Sequence, residues 1–318
     1  MAGINGVGSE VVKNIVLSGV KSMTLLDHQM VTEADTLSNL FTKREIGQNR
    51  AKVSKELVQS LNPNVAVNDD NTSLRDKDKD FFRAYEVVIL SNYDKQTMIK
   101  VNRICNELNI KFFATAIWGS FGFTFTDLGS QHYYFSEEDV KIEDITIQTD
   151  CEPTRKKARL EAPQQQQQPT PQPITSKQIV EKKISFVSLE RALDVKAGKA
   201  GYGLTRRTSS TFIITHILLE FCEKHSRYPS ADSRDEDIEE LKGLQKEVIA
   251  RLGVDERIIK HTDWHKEVFG ELSPISSIVG GVLGQDVIRA VSAKDSPIRN
   301  FFLFDGIQCN GSIESIGK

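Results

Sequence analysis

No stretch of this 318-residue chain approaches the roughly 20 consecutive apolar residues that a membrane span requires. Its first residues also lack the layout of a signal peptide. Cysteine is scarce, at Cys105, Cys151, Cys222 and Cys309, and no two form a C-x-x-C pair. That argues against a disulfide framework and for a reducing, intracellular compartment. Excess positive charge is missing as well. A net charge of −3 and a pI near 6.1 argue against a nucleic-acid binder. What is present is ample hydrophobic content, 39%, enough to core one large α/β domain or two smaller ones.

Glycines at positions 3, 6 and 8 lead into an amphipathic run in which Val11/Ile15 and Val12/Val16 repeat at i,i+4. This pattern predicts a tight turn opening a helix over 9–18, with Gly19 capping it in the left-handed conformation. Such a turn lets backbone N–H groups approach a phosphate at the helix N-terminus. A buried strand belongs immediately before it. Only Met1 and Ala2 precede the turn here, so the chain is expected to start inside its first βαβ unit with a truncated first strand. A short strand over 23–26 ends at Asp27. That acid reads either as the ribose-binding carboxylate of a nucleotide site or as a solvated acid at a strand terminus.

Further on, 31–48 reads as irregular, anchored by Leu37, Leu40 and Phe41. A helix over 49–61 would bury Val53, Leu57 and Leu61. Strands over 65–67, 87–90 and 111–116 and a helix over 95–108 complete an alternation that predicts a parallel sheet. The fold class is therefore α/β, Rossmann-like and doubly wound. Phe121, Phe123 and Phe125 alternate with Gly122 and Thr124, as in a half-buried antiparallel strand.

The composition breaks at 150–178, where five of the nine prolines stand beside the run Gln164–Gln168. This segment is expected to be a disordered linker. Within it, Arg155, Lys156, Lys157 and Arg159 read as a nuclear-import candidate or as a solvated charge run. Residues 179–270 would form an inserted helical subdomain, with a strand over 184–189 and helices over 211–223 and from 232 onward. His261 and His265, four apart, could share a helix face, but nothing completes a ligand set, and no metal site is assigned. Residues 271–318 then return to the first fold (1–149). There an apolar helix carries Gly280, Gly281 and Gly284 for close packing against the sheet. A strand over 301–304, a turn at Asp305-Gly306 and a partner strand over 312–316 follow.

The run G-x-x-G-x-G-x-E from Gly3, the strand end Leu25-Leu26-Asp27-His28, and the terminal P-I-S-S-I-V-G-G-V-L-G-Q-D-V-I and F-F-L-F-D-G blocks carry a resemblance. They resemble the adenylating domain of ubiquitin-like-protein-activating enzymes, the ThiF/MoeB-like family, over nearly the whole chain. Gly119-x-x-Gly122 followed by F-T-F-T-D-L-G, and the charged mid-chain linker, look like the smaller half of the SUMO-activating pairs. In that family two related folds pair. One half binds ATP and carries the catalytic cysteine, and the other completes the site, sending an arginine from a segment ahead of its first strand.

Active halves carry Asn-Arg-Gln after the ribose acid and a strand end Asn-Ala-Leu-Asp. Here Asn39 is not followed by the Arg-Gln pair, and in Ser91-Asn92-Tyr93-Asp94 the acid is one residue out of register. No cysteine sits in a thioester context: Cys222 is expected on an apolar helix face, Cys105 in the core and Cys151 in the linker. The resemblance thus implies a non-catalytic half with no catalytic residue of its own, in which Gly3, Gly6, Gly8 and Asp27 are a vestigial nucleotide site. It also implies a heterodimer with a catalytic SUMO-activating subunit that binds the ATP and Mg²⁺, contact with SUMO through the complex, and residence in nucleus and cytoplasm. Other readings are an assembly-only or regulatory form, a partner half for a NEDD8-type protein, and an NAD-dependent dehydrogenase, in which the terminal Gly-Gly helix and FDG hairpin would have no role.

Overall fold

A computed structural model describes residues 1–42, 45–141, 175–198, 203–205 and 207–317. The import candidates Arg155, Lys156, Lys157 and Arg159, the glutamine run and Cys151 lie outside these residues. The first helix, α1 (Gly6–Leu17), starts earlier than its apolar periodicity indicates. Asn5 caps it by accepting the Gly8 N–H at 2.9 Å, which brings the glycines into the first turn. Gly19 (φ +79°) follows the helix in the left-handed conformation. Next come β1 (Ser22–Leu26), α2 (Glu33–Ser38) with a Thr32/Asp35 capping box, α3 (Arg50–Leu61) and β2 (Ala66–Asp70). Leu37 is 83% exposed and anchors nothing. The buried side of α3 is Ala51, Ser54 and Val58, not the Val53/Leu57/Leu61 stripe, because the helix lies closely on α1 and β2 through its small residues.

The chain continues through α4 (Lys79–Phe82), β3 (Val87–Ser91), α5 (Lys95–Leu108), β4 (Lys111–Trp118) and β5 (Phe121–Asp127). Met1 to Gly3 lie between β1 and β3. Ala2 bridges Leu26 and Leu90 in parallel, its N–H reaching the Ile89 carbonyl at 2.8 Å while Gly3 donates to Leu26 at 2.9 Å. Those backbone links join β2 and β1 to the larger sheet. After β6 (His132–Lys141), β7 (Thr175–Ile184), α6 (Leu189–Leu193), α7 (Ser210–His225), α8 (Arg234–Leu252) and α9 (Ser273–Ser292), the strands β8 (Phe301–Asp305) and β9 (Asn310–Glu314) complete it. Pairing is parallel from β2 to β4 and antiparallel through β5, β8 and β9.

Alternation along the strands divides the core between two faces. Leu26, Leu90, Phe112 and Ala114 pack with α5 and α7, while Met23, Leu25, Ile89 and Phe113 pack with α1, α3 and α9. The sheet is doubly wound.

Several expectations change. All of β5 is buried, not half of it, because α9 covers the face opposite the phenylalanines. Gly280 and Gly284 admit α1 rather than the sheet: a Cβ on either would stand 2.6 Å from Glu10 Cβ or 2.8 Å from Asn14 Cβ. Gly281 faces open space. The antiparallel hairpin of β6 and β7 was not expected, and β7 begins at Thr175, inside the range read as linker. It ends at Ile184, and Ser188 caps α6 where a strand over 184–189 was expected. The described residues of 189–252 share one core with the sheet, since Phe212, Ile217 and Phe221 fall in one cluster with Phe123 and Phe301. Asp305 is the last residue of β8, paired with Asn310, so the turn runs from 306 to 309.

Asp286 of α9 is fully buried. It accepts the Ile298 N–H and the Thr126 hydroxyl, each at 2.7 Å. Burial pushes its pKa from 3.8 up to about 6, against those two bonds and Arg289. Between about pH 4 and about pH 6 the native protein therefore holds a proton that the unfolded chain has lost, and stability falls as pH rises through that window. Asp286→Asn keeps a carbonyl toward Ile298 and turns a donor to Thr126. Above neutral pH it should exceed the wild type by about 2–3 kcal/mol, with the difference vanishing near about pH 3. Urea midpoints at the two pH values check this, and equal midpoints above neutrality would count against it.

Candidate functional site

The glycine turn folds back on its own backbone. A Cβ on Gly3 (φ +85°) would stand 2.2 Å from the Ser91 carbonyl oxygen, and one on Gly8 would stand 2.2 Å from that of Gly3. Asn5 Oδ1 also accepts the Ser91 hydroxyl at 2.7 Å, tying the turn to the end of β3. The N-terminal end of α1 then presents the Gly6 N–H, a natural anion donor. A carboxylate already takes it, for Glu271 Oε2 accepts that N–H at 2.7 Å. The other oxygen, Oε1, accepts the Asn92 side-chain amide, and Asn92 Oδ1 is itself fixed by the Ile117 N–H at 3.2 Å.

Backbone pairing holds Glu271 in place. Gly119 at the end of β4 forms a parallel bridge with it and donates to Gly270 at 2.8 Å. Gly119 must be glycine there: its φ is +52°, and a Cβ would meet the Glu267 carbonyl oxygen at 2.1 Å. Burial pushes the Glu271 pKa up to about 7, although the Gly6 N–H, Arg50 and Asn92 favour the ionised form.

Asp27 is buried, not solvated. Its oxygens accept the Ile4 N–H at 2.7 Å and the Gln29 N–H at 2.9 Å. Arg50, the first residue of α3, lies 3.4 Å from Asp27 and 3.2 Å from buried Asp35, bridging the two acids. Asn39 serves the backbone, donating to the Ile4 carbonyl and accepting the Phe41 N–H at 2.9 Å. Asp94 caps α5 through the Thr97 N–H at 2.9 Å and pairs with Arg75 at 2.7 Å. Burial raises its pKa, but the Thr97 donors and Arg75 outweigh it and hold the carboxyl below its ordinary value.

ATP and Mg²⁺, implied by the resemblance, do not fit this turn as it stands. The phosphate-facing N–H, the ribose acid and the out-of-register acid each already have protein partners.

Burial pushes the Cys105 thiol, beside Asp127, up to about 12, and does the same for Cys222; neither forms a thiolate near neutrality. Cys309 is exposed in the terminal hairpin loop. His261 and His265 do not share a helix. The first meets Gln308 at 2.7 Å, and the second is buried in the single turn Trp264–Lys266. Among the described residues no group of three or more His, Cys, Asp or Glu side chains converges. None of the helices described is long and apolar enough to cross a membrane.

Sequence reading missed Arg50, Ser276 and Glu271. Glu271 is an isolated acid 265 positions from the glycine it touches, with no local pattern to mark it.

A glycine turn that follows a strand segment between β1 and β3 of a doubly wound sheet, clasped by the glycine-bearing helix α9, is a Rossmann-like arrangement. The chain belongs to the ThiF family, whose sequence profile matches residues 1–316. It is 33% identical over 319 residues to SUMO-activating enzyme subunit 1 of Homo sapiens, spanning 100% of this chain and 88% of that protein. The protein of the same name from Xenopus laevis is 34% identical over 321 residues, covering 100% and 89% of the two chains. That of Danio rerio is 35% identical over 317 residues, covering 99% and 87%.

Proposed function

We propose that this chain is the non-catalytic subunit of a heterodimeric SUMO-activating enzyme. Similarity running from end to end to proteins of that name carries the reading. The occupied glycine turn and the two high-pKa buried thiols support assigning the chemistry to the partner. In this reading the catalytic subunit binds ATP and Mg²⁺. The pair joins the SUMO C-terminal glycine to AMP as an acyl-adenylate, releasing pyrophosphate, and the acyl group then passes to a cysteine thiol of the partner as a thioester, releasing AMP. In the partner's site, backbone donors, arginine and Mg²⁺ would supply stabilisation of the developing phosphate charge. Nuclear residence, with Arg155, Lys156, Lys157 and Arg159 as import signal, belongs to the same proposal.

ATP–pyrophosphate exchange tests it. The chain alone should give no exchange, and addition of the catalytic subunit should give exchange that requires SUMO with its terminal glycine. Exchange by the chain alone would refute the non-catalytic assignment. Exchange with NEDD8 in place of SUMO would move the chain to another branch of the family.

A further inference from the structure

We propose that Glu271 is an internal occupant of the anion cradle at the start of α1, taking the place of a phosphate group and keeping this subunit from binding one. The cradle is a set of donors around the start of α1. Gly6 offers its N–H, Asn92 its side-chain amide, and Ser276, fully buried in the first turn of α9, its hydroxyl. The carboxylate satisfies the first two. The Ser276 hydroxyl has no hydrogen-bond partner, and it lies 3.1 Å from the point where a Cβ on Gly6 would stand. Glu271 Oε2 lies 2.5 Å from that same point, so only glycine at position 6 lets the acid reach the helix end. The carboxylate has acceptor sites enough for three donors, yet the Ser276 hydroxyl goes unused, a donor within reach for the further oxygens of a tetrahedral anion.

Nor is Glu271 needed as a helix cap, because Asn5 already fills that role. A helix capped from within and stoppered from outside has two acceptors at its positive end, the Asn5 amide oxygen and the Glu271 carboxyl. The second is held by a segment pinned through Gly119 and Gly270, so the occupancy is built into the fold rather than being a side chain's chance rotamer. A phosphoanion approaching Gly6 meets negative charge at the place where the donors point.

This inference rests on reading the chain as the half that does not bind nucleotide, and it gives that reading a cause. Its test is separate from the exchange assay. The full chain is dialysed to equilibrium against labelled pyrophosphate and, in parallel, Mg·ATP. Wild type should show no saturable binding. Glu271→Ala should show saturable pyrophosphate binding, at least about tenfold tighter than the weakest affinity the dialysis detects, since it removes the occupying carboxyl and frees two donors. Adding Ser276→Ala in that background should cancel part of the gain, which a loss of packing alone would not do. Glu271→Gln keeps the volume and removes the charge, and should show a smaller gain. Wild-type binding equal to that of Glu271→Ala would overturn the proposal, as would a folded Glu271→Ala that binds no better. Should Glu271→Ala fail to fold, absence of any gain in Glu271→Gln would overturn it equally. In each such case SUMO-dependent exchange by the pair would still stand or fall on its own.

Discussion

Replacing Arg50 with alanine is expected to cost about 3–5 kcal/mol of folding stability, because among the described residues it is the one cation paired with two buried carboxylates. Arg50 lies between Asp27 and Asp35, at 3.4 Å and 3.2 Å, and the three side chains are 12%, 3% and 7% exposed. An exposed pair would be worth little. Here solvent cannot screen what remains after truncation. Asp27 keeps two backbone donors and Asp35 keeps Thr32, but among the described residues neither keeps a compensating charge. The acids also differ in a way that makes the test specific. Asp35 Oδ2 takes both Thr32 donors, so Oδ1 faces Arg50 alone. Asp35→Asn can therefore turn its amide toward the vacated side, and the Arg50→Ala/Asp35→Asn double variant should recover a substantial part of the loss. Both Asp27 oxygens face N–H groups, so Asp27→Asn should rescue less. Urea titrations of the four variants give the answer. An Arg50→Ala cost below about 1 kcal/mol would place the triad with ordinary surface pairs.

The ribose-acid reading of Asp27 shows what sequence can and cannot carry. Its place at the end of β1 was legible, because a short apolar run followed by an acid is a local signal. Its partner was not. Arg50 opens a helix 23 positions later, and nothing near it distinguishes it from any other exposed arginine. The bounds of α5 came through fully from the spacing of Val101, Ile104, Cys105 and Leu108; in the fold Asp94 caps one end, Met98, Val101 and Cys105 are buried, and Asn109 stops the other end in the left-handed conformation. In α3 the same reasoning chose the wrong face. Close approach to α1 and β2 buries small residues, Ala51 and Ser54, which contribute little to an apolar pattern, and leaves Leu57 half-exposed. The hairpin of β6 and β7 escaped notice because charge dominates it, with Lys177 paired to Glu137 and Lys182 to Glu138. In β5 the alternation was real, but the covering layer arrives from α9, more than 140 positions on. Local chemistry writes the elements; which element covers which is written far away.

Phenylalanine 301 is where the most distant of those contacts meet, and Phe301→Ala should cost about 3–5 kcal/mol. The ring is fully buried on β8. Its centroid lies 4.9 Å from Phe125, 6.2 Å from Phe123 and 5.3 Å from Phe212 of α7. Truncation removes aromatic contacts on both sides of the junction between sheet and helix and leaves a cavity that rigid strands cannot close. The manner of the loss matters as much as its size. If residues 189–252 formed a unit with a core of their own, a defect on β8 would weaken the sheet and spare those helices. Sharing one core, they should fail together. Trp118 stands on β4 and Trp264 packs beside α8, where its indole N–H reaches Gln245 at 2.8 Å. These are the only two tryptophans, so Trp118→Phe and Trp264→Phe backgrounds each leave one reporter. Phe301→Ala should lower the urea midpoint by the same amount in both. A midpoint that falls for Trp118 and holds for Trp264 would restore an independent helical unit, and the chain would then fold in two steps, not one.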